Sequence, residues 1–319
     1  MPQSVPIVVL NRPRADAVLL LVALLWGTTF VAQKLGGADV GPLPFVAVRF
    51  IAATLFLLPF ALWEARRSSV TLTLADFARG AAIGTCLCTA SLLQQTAMAS
   101  TSATNAGFLT AVYTVLVPFV AWVVTRRPPR ILVLLACAVA LYGAWLMAGS
   151  SAGAGHWSQG DVLVLVSDFI WALHITLIAQ YRAIAARPMA LSTLQCAITG
   201  LVALPFAIVL QPASAQAVVA GLPAILYAGI VSSGIAFTLQ IVGQRHTPPA
   251  EAALIMSLES VFAAIAGMIF LGEMLTLRAA MGAVLIMLGV VIVETSPLIL
   301  AAASGLTARR SRAPVANRQ

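Results

Sequence analysis

The chain has 319 residues, of which 61% are hydrophobic and only 9% charged, with a formal net charge of +8. Soluble domains carry charge at roughly 25% of positions, so an ordinary soluble globule is excluded. Nucleic acid is not the partner that the positive balance implies, because the arginines fall in short segments between apolar stretches.

Stretches approaching the ~20 residues that cross a ~30 Å hydrocarbon core are predicted at 16–35, 42–62, 77–98, 103–125, 131–149, 161–181, 191–210, 217–240, 249–271 and 279–295. The first follows Asn11-Arg12-Pro13-Arg14, too polar and interrupted for a cleavable leader, so it reads as a retained span. Arg126-Arg127-Pro128-Pro129-Arg130 makes a basic turn between the fourth and fifth spans. Gly149 to Gly155 reads as a flexible linker, and the stretch from Ser304, with Arg309, Arg310, Arg312 and Arg318, as an irregular basic tail near lipid head groups. The expected division is an N-terminal tail (1–15), a first five-helix repeat (16–149), a linker (150–160), a second repeat (161–295) and a C-terminal tail (296–319). Cys86, Cys88, Cys137 and Cys196 all lie within spans, in a spacing that suggests neither a disulfide nor a metal clip.

Placing the N-terminus in the cytoplasm puts fifteen of the eighteen positive charges on the inner side. Lys34 and Arg278 fall at outer ends, and Arg49 lies inside the second span. This bias sets both termini inside and requires an even number of spans.

The chain also repeats itself. Asp16 and Trp26 return as Asp161 and Trp171, 145 residues on; Leu58-Pro59-Phe60, Leu93-Gln94, Thr101 and Gly143 return 146 residues on. Each copy holds five predicted spans, an odd number, so the second must enter the bilayer from the opposite side. The expectation is an all-α polytopic membrane protein of ten helices in two inverted five-helix repeats around a central cavity, an architecture of secondary transporters.

Polar side chains inside spans indicate which faces avoid lipid. They concentrate in spans 1, 3, 4, 6, 8 and 9, whereas spans 5 and 10 are nearly pure apolar. The candidate substrate-binding residues are Trp26, Thr29, Gln94, Asn105, Tyr113, Trp171, His174, Gln240, Glu259 and Ser260. Glu259 stands out, since a carboxylate about ten residues into a span is costly unless it binds an ammonium, exchanges a proton or ties two helices together. Trp26 and Trp171 offer flat apolar walls with a donor, or simply core packing between repeats. Asp168 and His174 are six apart, on different faces of one helix, and form no acid–base pair. Arg49 lies close enough to the outer end of its span for its head to reach outward, a structural or gating residue.

Several stretches together resemble the EamA-type repeat of the drug/metabolite transporter superfamily. They are Leu24-Leu25-Trp26-Gly27-Thr28-Thr29-Phe30, Val48-Arg49-Phe50, the Ala97–Ala103 junction, Met256-Ser257-Leu258-Glu259-Ser260-Val261-Phe262, Leu271-Gly272-Glu273 and Gly282-Ala283-Val284-Leu285-Ile286. The resemblance implies a carrier of the bacterial inner membrane, most often an exporter of amino acids or related metabolites, as the YddG-type exporters are. The first copy departs from it at Thr125-Arg126-Arg127, where the second has Leu271-Gly272-Glu273. No enzymatic step, cofactor or metal is expected. The expected partners are a small-molecule substrate and membrane lipids, with a monomer and an oligomer equally compatible. An intramembrane enzyme would need a clustered nucleophile and base or paired acidic motifs, which the sequence lacks. A lipid or lipid-linked-sugar flippase, or a non-transport scaffold, is the alternative.

Overall fold

The computed structural model describes residues 11–151, 158–274 and 276–310, without the side chains of Asp39, Asn105, Glu294 and residues 147–151 and 296–310. Residues 152–157 of the expected linker, and 1–10 and 311–319 of the tails, lie outside the described residues. Among the described residues every regular element is helical. Seven helical stretches are long and apolar enough to cross a membrane: Arg12–Ala38, Pro42–Arg67, Ala106–Thr125, Gln159–Gln180, Pro188–Leu210, Leu222–Gln244 and Pro249–Leu271. Ile131–Leu146 and Leu277–Val293 are shorter apolar runs. The remaining long helix, α3 below, carries Asp76, Arg79, Gln94 and Gln95 and is more polar than the others.

Local chemistry sets the ends. Helix α1 (Arg12–Val40) starts at Asn11, whose side chain accepts from the Arg14 N–H, and stops at Gly41, from which Pro42 and Pro44 launch α2 (Pro42–Arg67). Prolines at a helix start lose no needed hydrogen bond. Helix α3 (Leu74–Ala97) begins with a reciprocal capping box between Thr73 and Asp76. The Thr73 hydroxyl and N–H, with Arg79 adding its charge, hold the Asp76 carboxyl below the usual range.

The fourth predicted span is broken into α4 (Ala103–Thr110) and α5 (Tyr113–Thr125). Next come α6 (Ile131–Ser151), α7 (Gln159–Gln180), which opens with a Ser158–Asp161 capping box, a short α8 (Arg182–Ala185) and α9 (Pro188–Leu210). Two short helices, α10 (Ala215–Ala220) and α11 (Leu222–Leu226), lead into a π-helical stretch, Tyr227–Ala236, continued by α12 (Phe237–Gln244). The ninth predicted span is broken like the fourth, into α13 (Pro249–Met256) and α14 (Glu259–Leu271). Helix α15 (Leu277–Arg310) runs on into the first residues of the stretch from Ser304 that reads from sequence as irregular. Its Leu298–Ala303 run is made of strong helix formers, which carry the helix on.

The repeat is visible in the packing. The breaks fall at Ala111-Val112 and Ser257-Leu258, 146 residues apart, where backbone bonds tighten to i→i+3. Helices α6 and α15 meet through equivalent glycines. A Cβ on Gly143 would stand 2.5 Å from the Gly282 carbonyl, and one on Gly289 would stand 2.8 Å from that of Ala136. These are small-residue contacts of the kind that let membrane helices approach closely. The π-helical stretch has a sequence cause. Gly84 packs on α9 at Gln195 and Ile198, and Gly229 packs on α2 at Arg49 and Ala52, an offset of 145 that becomes 146 at Leu93 and Leu239. The extra residue lies between those positions, where a wider helical turn absorbs it.

Helices α1 and α7 run antiparallel. Lys34, near the C-terminal end of α1, donates to the carbonyls of Met98 and Thr101. Asp161, at the start of α7, accepts from the Thr101 hydroxyl at 2.9 Å. At the other end of α1, Asp16 accepts from the Thr247 hydroxyl at 2.6 Å.

Candidate functional site

The broken and π-helical segments converge on a small cavity in the middle of the bundle. Helix α1 contributes Trp26, Thr29, Phe30 and Gln33; α2 contributes Arg49; α3 and α4 contribute Gln94 and Thr110. Tyr113 opens α5, Trp171 and Ile175 come from α7, Ser232 from the π-helical stretch, and Phe237 and Gln240 from α12. Glu259 is the first residue of α14, so the break in the ninth span delivers a carboxyl to the positive end of a helix. Its equivalent, Tyr113, opens α5 in the same way and lines the same cavity.

Three aromatic rings form one wall. Phe237 sits between Trp26, 5.0 Å away and tilted, and Trp171, 6.0 Å away and nearly parallel. The Trp26 Nε1–H donates to the Ser232 carbonyl at 3.4 Å. Other polar groups are spoken for within the wall: Thr29 donates to the Leu25 carbonyl at 2.6 Å, and Gln94 Nε2 donates to Thr110 Oγ1 at 3.3 Å.

Several buried polar atoms of the lining have no hydrogen-bond partner among the described residues. They are Nε and Nη1 of Arg49, the Tyr113 hydroxyl, Trp171 Nε1, both amide atoms of Gln240 and Oε1 of Glu259. Native proteins rarely leave such groups unpaired without a reason. In a membrane interior a charged side chain costs about 2.5–3.5 kcal/mol on insertion scales. The cavity thus holds a guanidinium and a carboxyl that are not in an ion pair with each other.

The space itself is small. It holds about 40 Å³, room for roughly three waters at ~10–15 Å³ each. One turn further along the same helices, past Gln244 (whose Nε2 donates to the Ile175 carbonyl at 3.2 Å), a vestibule of about 1020 Å³ opens. Arg12, Arg127, Arg130, Arg182 and Arg245 surround it, and Glu251, which pairs with Arg12, is its acidic residue.

The structure brings together Trp26, Thr29, Gln94, Tyr113, Trp171, Gln240 and Glu259 from the residues expected at the site. His174 and Ser260 lie off the cavity surface. His174 is fully buried behind the aromatic wall, edge-on to Trp171 and Phe237, with Nε2 2.9 Å from Gln195 Oε1. Ser260 turns back into its own helix and donates to the Ser257 carbonyl at 2.7 Å. The Asn105 side chain lies outside the described residues. Asp168 is wholly buried, off the cavity surface.

Arg49 corrects the outward reading. It begins about seven residues into α2, about 10 Å from its start, and its head turns inward over the Phe50 ring at 4.6 Å. Phe237, Phe30 and Ile175 carry no polar signal, and the equivalent of Phe237 is Ser91, so neither composition nor the repeat could have found them.

The profile of the EamA-like transporter family matches residues 13–149 and, a second time, residues 158–295. The chain belongs to that family. An EamA-family chain of this composition is a multi-pass integral membrane protein and a transporter by descent. An uncharacterized transporter of Archaeoglobus fulgidus is 32% identical over 285 residues, covering 89% of this chain and 87% of its own. The uncharacterized transporter YwfM of Bacillus subtilis is 27% identical over 289 residues, covering 88% and 93% respectively. A solved crystal structure superposes with a TM-score of 0.73 at 19% identity, over 95% of this chain and 100% of the other, a likeness of fold alone.

Proposed function

We propose that this EamA-family protein is a secondary carrier of the bacterial inner membrane that exports amino acids or related small metabolites. It crosses ten times as two inverted five-helix repeats (16–149 and 161–295), both termini inside, and works by alternating access. The ten residues named from the sequence and the liners added above form its substrate site, except His174 and Ser260, which support it from behind. The observation that supports this reading is the small central cavity, reached by interrupted helices and lined by unpaired polar atoms against an aromatic wall. Interrupted helices at a central site are a recurring feature of secondary transporters. The cavity is too small for an amino acid as it stands, which suits a state closed around the site, with the arginine-lined vestibule as the inner mouth.

The test is counterflow in proteoliposomes loaded with unlabelled solutes and offered each labelled amino acid in turn. Accumulation above a gradient-free control is expected for at least one, and should collapse in Trp171→Ala. Absence of any solute flux alongside lipid scrambling would replace the carrier with a flippase.

A further inference from the structure

The cavity contains one basic and one acidic side chain that belong to different walls. Arg49 comes from α2, and Glu259 from α14; both helices pack against α1. Each side chain is 3% exposed. Among the described residues, the ion pairs are those of Arg12 with Asp16 and Glu251, Arg79 with Asp76, and Arg187 with Glu64, so neither Arg49 nor Glu259 has a counter-charge. The guanidinium is braced by aromatic faces, 4.6 Å from the Phe50 centroid and 5.9 Å from that of Phe45. Stacking of this kind holds the plane of the fork and leaves its edge N–H groups free, and Nε and Nη1 are without partners. Nε lies on one edge of the fork and Nη1 on the other, each edge completed by Nη2, and either edge can take a carboxylate through two parallel N–H donors.

We propose that Arg49 is the oxyanion-recognising residue of the cavity, and that together with Glu259 it selects solutes carrying both a carboxylate and an ammonium. The inference rests on the carrier reading and sharpens it. A zwitterion answers both buried charges at once: its carboxylate lies on Arg49, its ammonium on Glu259, and its side chain against the Trp26–Phe237–Trp171 wall. A solute with only a carboxylate leaves Glu259 without a counter-charge, and a solute with only an ammonium leaves Arg49 so. Leaving one partner of a desolvated charge pair unmatched is the costly case, so selection comes from rejecting singly charged analogues as much as from holding the right one.

The decisive measurement is competition in wild-type proteoliposomes. For the α-amino acid carried best, its decarboxylated amine and its 2-oxo acid are offered as competitors of counterflow. Each should compete more than about tenfold more weakly than the amino acid itself. Arg49→Gln should cut amino-acid uptake by a similar factor while sparing the amine, and Glu259→Gln should spare the 2-oxo acid instead. Arg49→Lys, which keeps the charge without the fork, should retain an intermediate rate and serves as the folding control. These opposite shifts in preference are something a purely structural arginine would not produce. Equal competition by all three solutes overturns the inference, as does an amino-acid preference unchanged in Arg49→Gln. Transport confined to solutes other than amino acids also overturns it while leaving the carrier standing; no flux of any solute removes the carrier reading itself.

Discussion

Arg126 has φ of 59°, the left-handed region, and is the only non-glycine with positive φ among the described residues. Its equivalent 146 residues on is Gly272, which ends α14 at φ 66° in the same way. The repeat thus imposes a glycine's conformation on an arginine, at a cost of about 1–2 kcal/mol for an L-residue. Part of that cost is balanced by the greater entropy a glycine loses on folding. Arg126→Gly is expected to stabilise the protein by about 0.5–1 kcal/mol, and Gly272→Arg to destabilise it by a similar amount. Thermal unfolding in detergent reads both, and an unchanged midpoint in both would mean the turn relaxes at no cost. The same scale shows what the sequence could disclose about the site. Trp26, Tyr113, Gln94, Gln240 and Glu259 announced themselves because polar and amphipathic groups inside spans must face protein. Arg49 was equally visible but misread, since distance along a helix says how deep a side chain starts and not where it turns. His174 was misplaced for the related reason that sharing a helix face with Trp171 puts it near the wall without putting it on the surface.

At the scale of elements, the pairing of α6 with α15 depends on two equivalent glycines. A side chain at Gly143 meets the backbone of α15 and one at Gly289 meets the backbone of α6, and neither backbone can yield without parting the helices. Gly143→Leu and Gly289→Leu are each expected to cost about 1–3 kcal/mol by overpacking. Leu135→Ala, on the exposed face of α6, should stay within about 0.5 kcal/mol. Detergent unfolding of the three variants compares them directly, and equal losses at all three positions would deny the glycines their special place. Helix existence was readable from apolar length, since lipid leaves a chain few other options. The interruptions were not. Hydropathy sums over a segment and does not register that Ala111-Val112 and Ser257-Leu258 tighten to i→i+3, with Thr114, Ser257 and Ser260 returning their hydroxyls to nearby carbonyls. Nor does it register a π-helical turn, and the inserted residue between Gly229 and Leu239 shows only once the packing pairs Gly84 with Gly229.

At the scale of the whole molecule, the halves are cross-tied at both ends by equivalent bonds. Thr247 of the second copy donates to Asp16 of the first, and Thr101 of the first copy donates to Asp161 of the second. Close backbone approaches accompany them, with the glycine exchanged between partners: Gly243 lies against Ala15, and Gly160 against Ala97. The two ends differ in their charges. The Arg12–Glu251 pair reinforces the first, which borders the vestibule, and Lys34 with its two carbonyls reinforces the second. In an alternating-access cycle such ties must break one at a time, so each should bias access to its own side. A hydrogen bond to a carboxylate contributes about 1.5–3 kcal/mol, enough to move a two-state population by about tenfold or more. The expectation is that Thr247→Val opens the vestibule end and Thr101→Val the opposite one. Thr29→Cys, on a chain whose four native cysteines are replaced by alanine, reports this through labelling with an impermeant maleimide applied from either side of oriented vesicles. Labelling from the cytoplasmic side should rise about tenfold with Thr247→Val, and labelling from the other side with Thr101→Val. Identical changes from both sides would show that these bonds hold the bundle together without setting which way it faces. Opposite changes would tie the repeated aspartates to the direction of opening, with the asymmetric charges of Arg49 and Glu259 at the point about which the two copies exchange roles.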